Sequence, residues 1–345
     1  MKYVHIATEA PYDVLIDRGL LDSVGALIQK GLGVFRVALI SDETVDRLYG
    51  DRVEASLRAA GHRVLRLTFK GGEGNKTPET VVSLQRALLE GELTRSDLIV
   101  ALGGGIVGDV AGFTAATYLR GIRYVQIPTT LLAALDSSVG GKTGVNLLGY
   151  KNQIGAFWQP SMVLCDPDVF STLTEEQYAD GMAEAIKYGV AFDKGLFEML
   201  YADHDICEVI RRAVAIKGDV VATDERDEGA RQLLNFGHTV GHAIEKLTEH
   251  EFSHGQAVAV GMIVATQGAL RMGYCRENFL DDLVGCITYR GLPRAVLATT
   301  EELLSAMRSD KKRRGDEITL ILPRRLGECR AETVPMADLE KYFRL

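Results

Sequence analysis

Short apolar runs alternate with longer segments in which apolar residues recur every three or four positions through the first half of the chain. A short apolar run predicts a buried strand, and the longer period predicts an amphipathic helix. A helix is predicted over Pro78–Glu90. Strands are predicted over 35–41, 64–69, 97–102, 123–127 and 161–165. This βαβ rhythm is typical of a parallel sheet that helices cover on both faces.

The pattern changes near residue 168, where long helical segments replace the alternation. Thr174 stands three residues before Gln177, which is the spacing of a capping box that opens a helix. Helices are predicted over 175–191, 205–224, 231–247 and 255–272. We therefore predict an α/β, Rossmann-like N-terminal domain over 1–168 and an all-α C-terminal domain over 169–345.

The composition is that of an ordinary globular protein, with 46% hydrophobic and 25% charged residues. A formal net charge of −8 argues against a nucleic-acid partner. The apolar stretches are interrupted before they reach membrane-spanning length, so no membrane partner is expected. The five cysteines are scattered without a Cys-x-x-Cys pair, and no signal peptide is evident. We therefore expect a cytoplasmic protein.

A glycine-rich turn follows the predicted strand over 97–102. Gly103, Gly105 and Gly108 match G-x-G-x-x-G between a strand and a helix, where backbone N–H groups can bind a pyrophosphate. Arg120 stands where a dinucleotide site usually has an acid, but Asp42 closes an earlier strand and could meet a ribose. The pattern indicates a dinucleotide site, and the alternative is a turn that needs several glycines for its geometry alone.

A Gly-Lys-Thr segment at 141–143 ends like a P-loop. The first glycine of that motif would fall at position 136, where the chain has Asp136. The preceding segment, 131–135, also looks helical, whereas a P-loop follows a strand. We therefore exclude a P-loop NTPase.

The predicted helix over 231–247 carries a polar stripe on a mostly apolar surface. Its members recur at helical spacing and are Arg231, Asn235, His238, His242 and Glu245. Such a stripe is costly unless its groups pair or bind something. The His-x-x-x-His spacing also places two imidazoles on one face, as in many metal sites. The alternative is a pair of ordinary helix histidines.

Further candidate ligands lie outside that stripe. His254 begins the next predicted helix, and Glu184 lies in an apolar stretch with Lys187 one helical turn later. Neutral imidazoles and one carboxylate together make a site for Zn²⁺ or a similar ion. The alternative for Glu184 and Lys187 is a surface salt bridge.

Taken together, these segments resemble the 3-dehydroquinate synthase family. The similarity runs through most of the chain, and the motifs keep their order and spacing. They are GGEGNK at 71–76, ALGGGIVGDVAGF at 101–113, RG at 120–121, IPTTLLA at 127–133, DSSVGGKTGVN at 136–146, KNQIGAFWQP at 151–160, AEAIK at 183–187, LNFGHTVGHAIE at 234–245, HG at 254–255 and DKK at 310–312. Glycerol dehydrogenases share the architecture but not the segments at 136–146 and 151–157.

The resemblance implies an enzyme that converts 3-deoxy-D-arabino-heptulosonate 7-phosphate to 3-dehydroquinate and phosphate, a step of the shikimate route. It also implies two cofactors, one divalent ion (Zn²⁺ or Co²⁺) and NAD⁺, which is used and regenerated within each turnover. A transient oxidation needs such a hydride acceptor, and a metal-held hydroxyl is easier to oxidise. The resulting carbonyl allows phosphate to be eliminated. Reduction of the ketone, opening of the sugar ring and an intramolecular aldol closure then follow.

The resemblance also implies the roles of the site residues. The metal ligands are Glu184, His238 and His254, whereas His242 serves proton transfer or phosphate binding. Substrate and catalytic positions are implied at Arg120, Asp136, Lys142, Asn152, Lys187, Lys217, Arg231, Asn235 and Lys312. NAD-binding positions are implied at Asp42, Glu73, Lys76, Gly105, Ile106, Val107, Gly108, Asp109, Thr129, Thr130, Lys142, Lys151 and Thr172. Because the family is commonly dimeric, we expect a homodimer in which Arg120 reaches the partner's active site.

The chain departs from the family pattern at four positions, which are Asn75, Leu148, Tyr150 and Gln256. Tyr150 could reorder the loop that carries the next two residues, and Gln256 replaces a glutamate beside the metal. One alternative is therefore a related sugar phosphate cyclase with another phosphorylated sugar as substrate. Another is a non-catalytic nucleotide-binding protein, against which the intact ligand set argues.

Overall fold

The computed structural model describes residues 1–202, 204–227, 229–249, 251–308 and 316–344. It contains two compact units, and neither is a continuous segment. Unit 1 consists of Met1–Leu173 and Ile206–Arg226, and unit 2 of Thr174–Asp205 and Asp227–Leu345. The boundary near residue 168 stays a prediction about separately folding domains.

The strands and α-helices are numbered in chain order. The first part of the chain contains β1 (Lys2–Ile6), β2 (Tyr12–Ile16), α1 (Val24–Leu32), β3 (Arg36–Asp42), α2 (Glu43–Val45), α3 (Asp51–Ala59), β4 (Arg63–Phe69), α4 (Pro78–Glu90), β5 (Leu98–Gly103), α5 (Gly105–Thr117), β6 (Arg123–Pro128), β7 (Lys142–Leu147), β8 (Tyr150–Phe157) and β9 (Met162–Cys165). The second part contains α6 (Glu175–Ala191), α7 (Lys194–Met199), α8 (Ile206–Thr223), α9 (His238–Leu247), α10 (His254–Arg271), α11 (Glu277–Tyr289), α12 (Thr300–Arg308), β10 (Glu317–Arg325), β11 (Glu328–Pro335) and α13 (Leu339–Tyr342).

Unit 1 is built on a seven-stranded sheet with the order β1-β2-β9-β6-β5-β3-β4. β1 and β2 pair antiparallel, and all other neighbours in the sheet pair parallel. β5 is buried at every position, as expected for a central strand of a parallel sheet. The five predicted strands correspond to β3, β4, β5, β6 and β9, so the predicted parallel α/β sheet is confirmed. The hairpin of β1 and β2 was not predicted.

Local capping signals explain why α4 and α6 have their predicted bounds. Thr77 accepts a hydrogen bond from the backbone of Thr80, and Pro78 occupies the first helical position, where no N–H is needed. At the start of α6, Thr174 accepts from the Gln177 N–H at 3.2 Å and donates its own N–H to the Gln177 side chain at 3.1 Å. The predicted capping box is therefore present.

Helix α8 belongs to unit 1, although it follows α6 and α7 of unit 2 in sequence. It packs against β1, where Lys2 Nζ lies 2.8 Å from Glu208 Oε2. A Cβ on Gly218 would lie 2.6 Å from the Ile6 side chain, so the helix and strand are closely packed. The sheet of unit 1 therefore packs against a helix that lies, in sequence, within the predicted second domain.

The single helix predicted over 231–247 is wrong in its first turns. A 3₁₀ helix covers Ala230–Asn235, and α9 begins only at His238. Between them, Gly237 has φ +79°, and a Cβ there would lie 2.6 Å from the Met262 side chain. Glycine is required because it adopts this positive φ readily and has no Cβ to clash with Met262. The residues of the 3₁₀ helix therefore do not continue the polar stripe of α9.

Unit 2 is mainly helical, as predicted, and adds the antiparallel pair of β10 and β11. A second antiparallel pair, β7 and β8, lies against α5 in unit 1. Neither pair was predicted. Within the described ranges, no helix has the length and apolar character needed to cross a membrane.

Candidate active site

Glu184, His238 and His254 converge within unit 2. Glu184 lies in the middle of α6, and the two histidines are the first residues of α9 and α10. Glu184 Oε1 lies 3.4 Å from His238 Nε2 and 3.4 Å from His254 Nε2. One donor atom from each residue lies within 4.8 Å of the others. The structure therefore brings the three predicted metal ligands into one cluster.

Acceptors at Nδ1 orient both imidazoles of this cluster. His238 Nδ1 lies 3.1 Å from the carbonyl oxygen of Phe236, and His254 Nδ1 lies 3.3 Å from Glu245 Oε1. A carbonyl oxygen only accepts, so Nδ1 of His238 donates and its Nε2 can carry a lone pair. Metal-binding histidines have this outer acceptor. Two such imidazoles and one carboxylate fit a divalent ion such as Zn²⁺ or Co²⁺.

The cluster is charged, and Glu184 and His238 are its buried members. Glu184 and Lys187 are each 1% exposed and form an ion pair, so the alternative of a surface salt bridge is wrong. Burial lowers the pKa of His238 far below its ordinary value, and Glu184 opposes this only in part. Burial also lowers the pKa of His254, but hydrogen bonds to Glu184 and Glu245 outweigh it and raise the pKa to about 10. The carboxylates therefore stabilise positive charge here, whether a proton or a metal ion carries it.

His242 lies one turn after His238 on α9. Its ring centroid is 5.6 Å from that of His238 and 6.2 Å from that of His254. His242, Glu245 and His254 also offer donor atoms within 4.8 Å of one another, so two donor sets share His254. In the set with Glu184, both imidazoles present Nε2 to the same carboxylate oxygen. That geometry favours Glu184, His238 and His254 as the ligands of one ion.

The other predicted residues of unit 2 lie before α9 or outside the described residues. Arg231 is in the 3₁₀ helix and is only 2% exposed, and Asn235 ends that helix and is half-buried. A buried guanidinium is stable only with hydrogen-bond partners or a nearby anion. Lys312 lies outside the described residues.

The glycine-rich turn of unit 1 joins β5 to α5. Gly105, Ile106 and Val107 are the first three residues of α5, whose N–H groups have no acceptor one turn earlier in the helix. The Gly108 N–H donates to the carbonyl oxygen of Gly104 at 3.0 Å. A Cβ added to Gly104 would lie 3.0 Å from Thr130 Cγ2, and a Cβ added to Gly105 would lie 3.1 Å from the Ser137 hydroxyl. Packing therefore also calls for these glycines, so the glycines alone do not identify a ligand.

Thr129 gives an independent indication of a ligand. It is 3% exposed, and its hydroxyl has no hydrogen-bond partner among the described residues. Its N–H donates to the carbonyl of Gly103 at 2.9 Å, which holds it at the carboxyl end of β5. Nucleotides bind at this end of the strands in open α/β sheets. An unpaired buried hydroxyl costs about 1–3 kcal/mol, so a polar ligand such as NAD⁺ fits the position.

Three predicted site residues of unit 1 are in contact: Lys76, Asp109 and Asn152. Lys76 Nζ lies 2.5 Å from Asp109 Oδ2 and 2.6 Å from Asn152 Oδ1. Burial raises the pKa of Asp109, and the charge of Lys76 opposes this shift. Asn152 has φ +53°, so β8 is locally irregular there. The structure thus joins Asn152, which was predicted as a substrate position, to two residues predicted to bind NAD⁺.

Three other residues predicted to bind NAD⁺ have structural partners. Asp42 Oδ1 accepts from two backbone N–H groups at the start of α2, at 2.8 and 3.0 Å. Glu73 Oε1 accepts from Asn146 Nδ2 at 2.8 Å. The hydroxyl of Thr172 lies 2.7 Å from that of Tyr49. Asp42 therefore caps the start of α2 through Oδ1.

The predicted cations of unit 1 differ in their surroundings. Lys217 Nζ lies 2.9 Å from Asp136 Oδ1 and 2.7 Å from its carbonyl oxygen, so these two residues are brought together. Lys142 begins β7 and Lys151 lies near the start of β8, and both are exposed. Arg120 is exposed as well and has φ +65°. These three cations are therefore presented on the surface of unit 1.

Gln256, one of the four departures, has a role at the start of α10. Its Oε1 accepts from Ser253 N at 3.1 Å, and its Nε2 donates to Glu176 Oε1 at 3.2 Å. The Ser253 hydroxyl caps the same helix and lies 2.5 Å from Asp180 Oδ1. The polar end of Gln256 therefore faces this cap, where a glutamate would meet the like charge of Glu176. The sequence carries the signal of this capping box as Ser-x-x-Gln at 253–256.

Solved structures of sugar phosphate cyclases share this architecture. A 2-deoxy-scyllo-inosose synthase, solved with carbaglucose-6-phosphate, NAD⁺ and Co²⁺, matches with a TM-score of 0.89 and 26% identity over 100% of both chains. The 2-epi-5-epi-valiolone synthase of Streptomyces hygroscopicus subsp. jinggangensis 5008, solved with NAD⁺ and Zn²⁺, matches with a TM-score of 0.86 and 28% identity over 95% of this chain and 94% of that one. The fold is therefore that of the sugar phosphate cyclase class of enzymes.

Sequence comparisons identify the family within this class. Family models described as 3-dehydroquinate synthase N-terminal and 3-dehydroquinate synthase C-terminal match residues 66–180 and 181–313. The 3-dehydroquinate synthase of Clostridium acetobutylicum is 40% identical over 343 residues, which cover 97% of this chain and 96% of that protein. The chain belongs to the 3-dehydroquinate synthase family, and the predicted family is confirmed.

Proposed function

We propose that the protein converts 3-deoxy-D-arabino-heptulosonate 7-phosphate to 3-dehydroquinate and phosphate, with NAD⁺ and one Zn²⁺ or Co²⁺ ion as cofactors. One observation carries this proposal. A buried cluster of Glu184, His238 and His254 lies in a chain that is 40% identical, over 97% of its length, to a 3-dehydroquinate synthase. When bound, the ion supplies a Lewis acid for a substrate hydroxyl, and NAD⁺ supplies a reversible hydride acceptor.

Glu184, His238 and His254 would hold the ion through one carboxylate oxygen and two Nε2 atoms. Glu184 is only 1% exposed, and its burial strengthens the electrostatic effect of this carboxylate on a bound cation. Lys187 pairs with Glu184 and is just as buried. Its ammonium has three N–H donors, so it can bind an anionic substrate group in addition to Glu184.

His242 is the proton carrier of this proposal. It is half-buried on α9, and its ring lies next to those of both ligand histidines. An imidazole can act as a general acid or a general base. In this role its ring would accept a proton from the substrate or donate one to the departing phosphate. The two ligand imidazoles cannot do this, because each uses Nε2 for the ion.

NAD⁺ binding in unit 1 is supported by the start of α5 and by Thr129. The N–H groups of a helix start and the helix dipole favour a pyrophosphate, and the buried hydroxyl of Thr129 offers a further hydrogen bond. The acid Asp109 is held beside them by its ion pair with Lys76. The proposed NAD⁺ contacts are Asp42, Glu73, Lys76, Gly105, Ile106, Val107, Gly108, Asp109, Thr129, Thr130, Lys142, Lys151 and Thr172.

The substrate carries a carboxylate and a phosphate, whereas the chain has a net charge of −8. Cations must therefore be concentrated around the substrate to offset both charges. Lysine and arginine donors also bind carboxylate and phosphate oxygens directly. The proposed substrate contacts are Arg120, Asp136, Lys142, Asn152, Lys187, Lys217, Arg231, Asn235 and Lys312.

A homodimer is supported by one surface of unit 1. In the described part of the chain β8 pairs only with β7, so its outer edge is open. Leu148, Tyr150 and Phe157 are 87%, 56% and 50% exposed along this hairpin, and such apolar groups beside an open edge are typical of subunit interfaces. A Cβ on the glycine after Arg120 would lie 2.4 Å from the Trp158 ring, so Arg120 lies near the end of β8. Analytical ultracentrifugation should give a two-chain mass.

We place this activity in the cytoplasm, with a small sugar phosphate as the ligand and with no nucleic-acid or membrane partner. All five cysteines are free thiols, which supports a reducing compartment. The acidic net charge of −8 supports the absence of a nucleic-acid partner.

A substrate comparison tests the proposed reaction. Purified protein is incubated with NAD⁺, Zn²⁺ or Co²⁺ and the heptulosonate phosphate, and phosphate release is followed, with Glu184→Gln as the inactive control. Release from this substrate but not from hexose or other heptulose phosphates is expected. The opposite selectivity would support the alternative of a related cyclase, for which the exposed Tyr150 beside Lys151 is the motivating departure. No release from any sugar phosphate would support a non-catalytic binding protein.

A further inference from the structure

Glu245 occupies a position in the metal cluster that the sequence left unassigned. It lies two helical turns after His238 on α9, so the two side chains share a face. It is only 6% exposed, and its Oε1 lies 3.3 Å from Nδ1 of His254 on α10. A buried carboxylate is costly without a partner, and here an imidazole nitrogen of a candidate ligand is within reach.

We propose that Glu245 is a positioning residue that holds His254 with a proton on Nδ1 and with Nε2 directed at the metal ion. This inference rests on the proposed function, because it assumes that the ion binds to Glu184, His238 and His254. An Nδ1–H that donates to the carboxylate leaves the lone pair on Nε2. The carboxylate charge also makes Nε2 a stronger donor, as in the carboxylate–histidine pairs of many zinc sites.

The two ligand histidines differ in how much they need such a partner. His238 is oriented by the carbonyl oxygen of Phe236, a backbone acceptor, and its side chain is 11% exposed. The His254 side chain is 34% exposed, so packing restrains its ring less. Its orienting contact comes from a side chain, Glu245, and that contact can be removed by substitution.

Glu245 could instead be a ligand itself, in the second donor set with His242 and His254. The two roles differ in the part played by His242. If Glu245 is a ligand in that set, removing His242 should weaken metal binding as much as removing Glu245 does. If Glu245 positions His254, removing His242 should leave metal binding nearly unchanged.

Metal affinity tests the inference without reliance on turnover. Zn²⁺ binding to the metal-free full-length protein is measured by competition with a chromophoric chelator, for Glu245→Gln, Glu245→Ala and His242→Ala. Loss of an outer carboxylate typically weakens metal binding about 10- to 100-fold, and we expect this for Glu245→Ala. Glu245→Gln should lose less, because the amide keeps an acceptor but no charge. The absorption bands of bound Co²⁺ should shift in both Glu245 variants, because the orientation or donor strength of His254 changes.

Glu176→Gln is the matched control. Glu176 contacts Gln256 at the start of the helix that carries His254, whereas the contact with His254 Nδ1 comes from Glu245. The Glu176→Gln variant should match the unchanged protein in its affinity for Zn²⁺ and in its Co²⁺ absorption spectrum. If Glu245→Ala does not fold, as judged by circular dichroism, Glu245→Asp keeps the charge but shortens the reach and should also weaken binding.

The outcomes separate this inference from the proposed function. If the unchanged protein binds Zn²⁺ tightly and the Glu245 variants bind it within about threefold, the positioning role is overturned. An equal loss in His242→Ala would also overturn it, since Glu245 would then be a ligand. If the unchanged protein binds no Zn²⁺ or Co²⁺, the ligand set of the proposed function fails, and the inference fails with it.

Discussion

Gly237→Ala tests the link between the chain reversal before α9 and the metal cluster. Gly237 has φ +79° and directly precedes the candidate ligand His238. A Cβ on Gly237 would lie 2.6 Å from the Met262 side chain and 2.8 Å from the carbonyl oxygen of Val258. Both neighbours belong to α10, which also carries His254. We expect the substitution to destabilise the protein and to displace one ligand from the other two.

Two physical costs add at this position. The left-handed backbone conformation costs a residue with a Cβ about 1–2 kcal/mol, and overpacking of a tight site costs roughly 1–3 kcal/mol. The expected destabilisation is therefore about 2–5 kcal/mol. Gly273→Ala is the matched control, because Gly273 has φ +72° but nothing within 4 Å of the added Cβ. It should carry only the first cost, about 1–2 kcal/mol.

Urea unfolding of the metal-free proteins measures both changes, and chelator competition measures Zn²⁺ affinity. Gly237→Ala should lose more stability than Gly273→Ala and should bind Zn²⁺ more weakly, whereas Gly273→Ala should bind it normally. Equal losses of stability would refute the steric part of the argument. Unchanged Zn²⁺ affinity in Gly237→Ala would refute the claim that this reversal positions His238.

Three further sets of variants have expected outcomes. Glu184→Gln and His254→Ala should each lose bound metal in elemental analysis, whereas His242→Ala should retain it; metal loss in His242→Ala would contradict the ligand assignment. Thr129→Val should weaken NAD⁺ binding roughly 3- to 10-fold in calorimetry, the worth of one hydrogen bond, without lowering stability of the cofactor-free protein; unchanged NAD⁺ affinity would exclude this contact. Glu208→Gln should cost about 1 kcal/mol at neutral pH, the scale of a hydrogen-bonded surface ion network. A hydrogen bond from a neighbouring arginine lowers the pKa of Glu208, so its contribution is present above the ordinary glutamate pKa and is lost as the pH falls; a stability difference that persisted in acid would contradict this account.

The elements that were predicted correctly have signals within a few residues of their ends. α4 begins at a threonine followed by proline, and α6 begins with the capping box of Thr174 and Gln177. β5 is a continuous apolar run, which is sufficient for a buried central strand. The bounds of such elements depend on neighbouring residues in the chain, so they could be predicted from the sequence alone.

The break before α9 and the unit to which α8 belongs were not predicted, because both depend on partners far away in sequence. At the break before α9, Gly237 has φ +79° and the Met262 side chain of α10 leaves no room for a Cβ, whereas the helical pattern of apolar residues continues through this glycine. Similarly, α8 joins unit 1 through contacts such as that of Lys2 with Glu208. Neither contact leaves a signal in the local pattern.

The candidate site was also predicted only in those parts that have a local signal in the sequence. Motifs that resemble the family indicated the residue types, but helical spacing alone paired His238 with His242. The carboxylate of Glu184 comes from α6, and the imidazole of His254 comes from α10. The outer contact of His254 with Glu245 depends on how α9 and α10 pack, so sequence showed Glu245 only as a member of a polar stripe.

The ratio of product to NAD⁺ tests the central claim most directly. Metal-loaded protein is given excess 3-deoxy-D-arabino-heptulosonate 7-phosphate and a much smaller amount of NAD⁺, and 3-dehydroquinate, phosphate and NADH are measured together. We predict equal amounts of 3-dehydroquinate and phosphate, many molecules of each per NAD⁺, and no net NADH. NADH that accumulates in proportion to product, or phosphate release without 3-dehydroquinate, would contradict the proposed function.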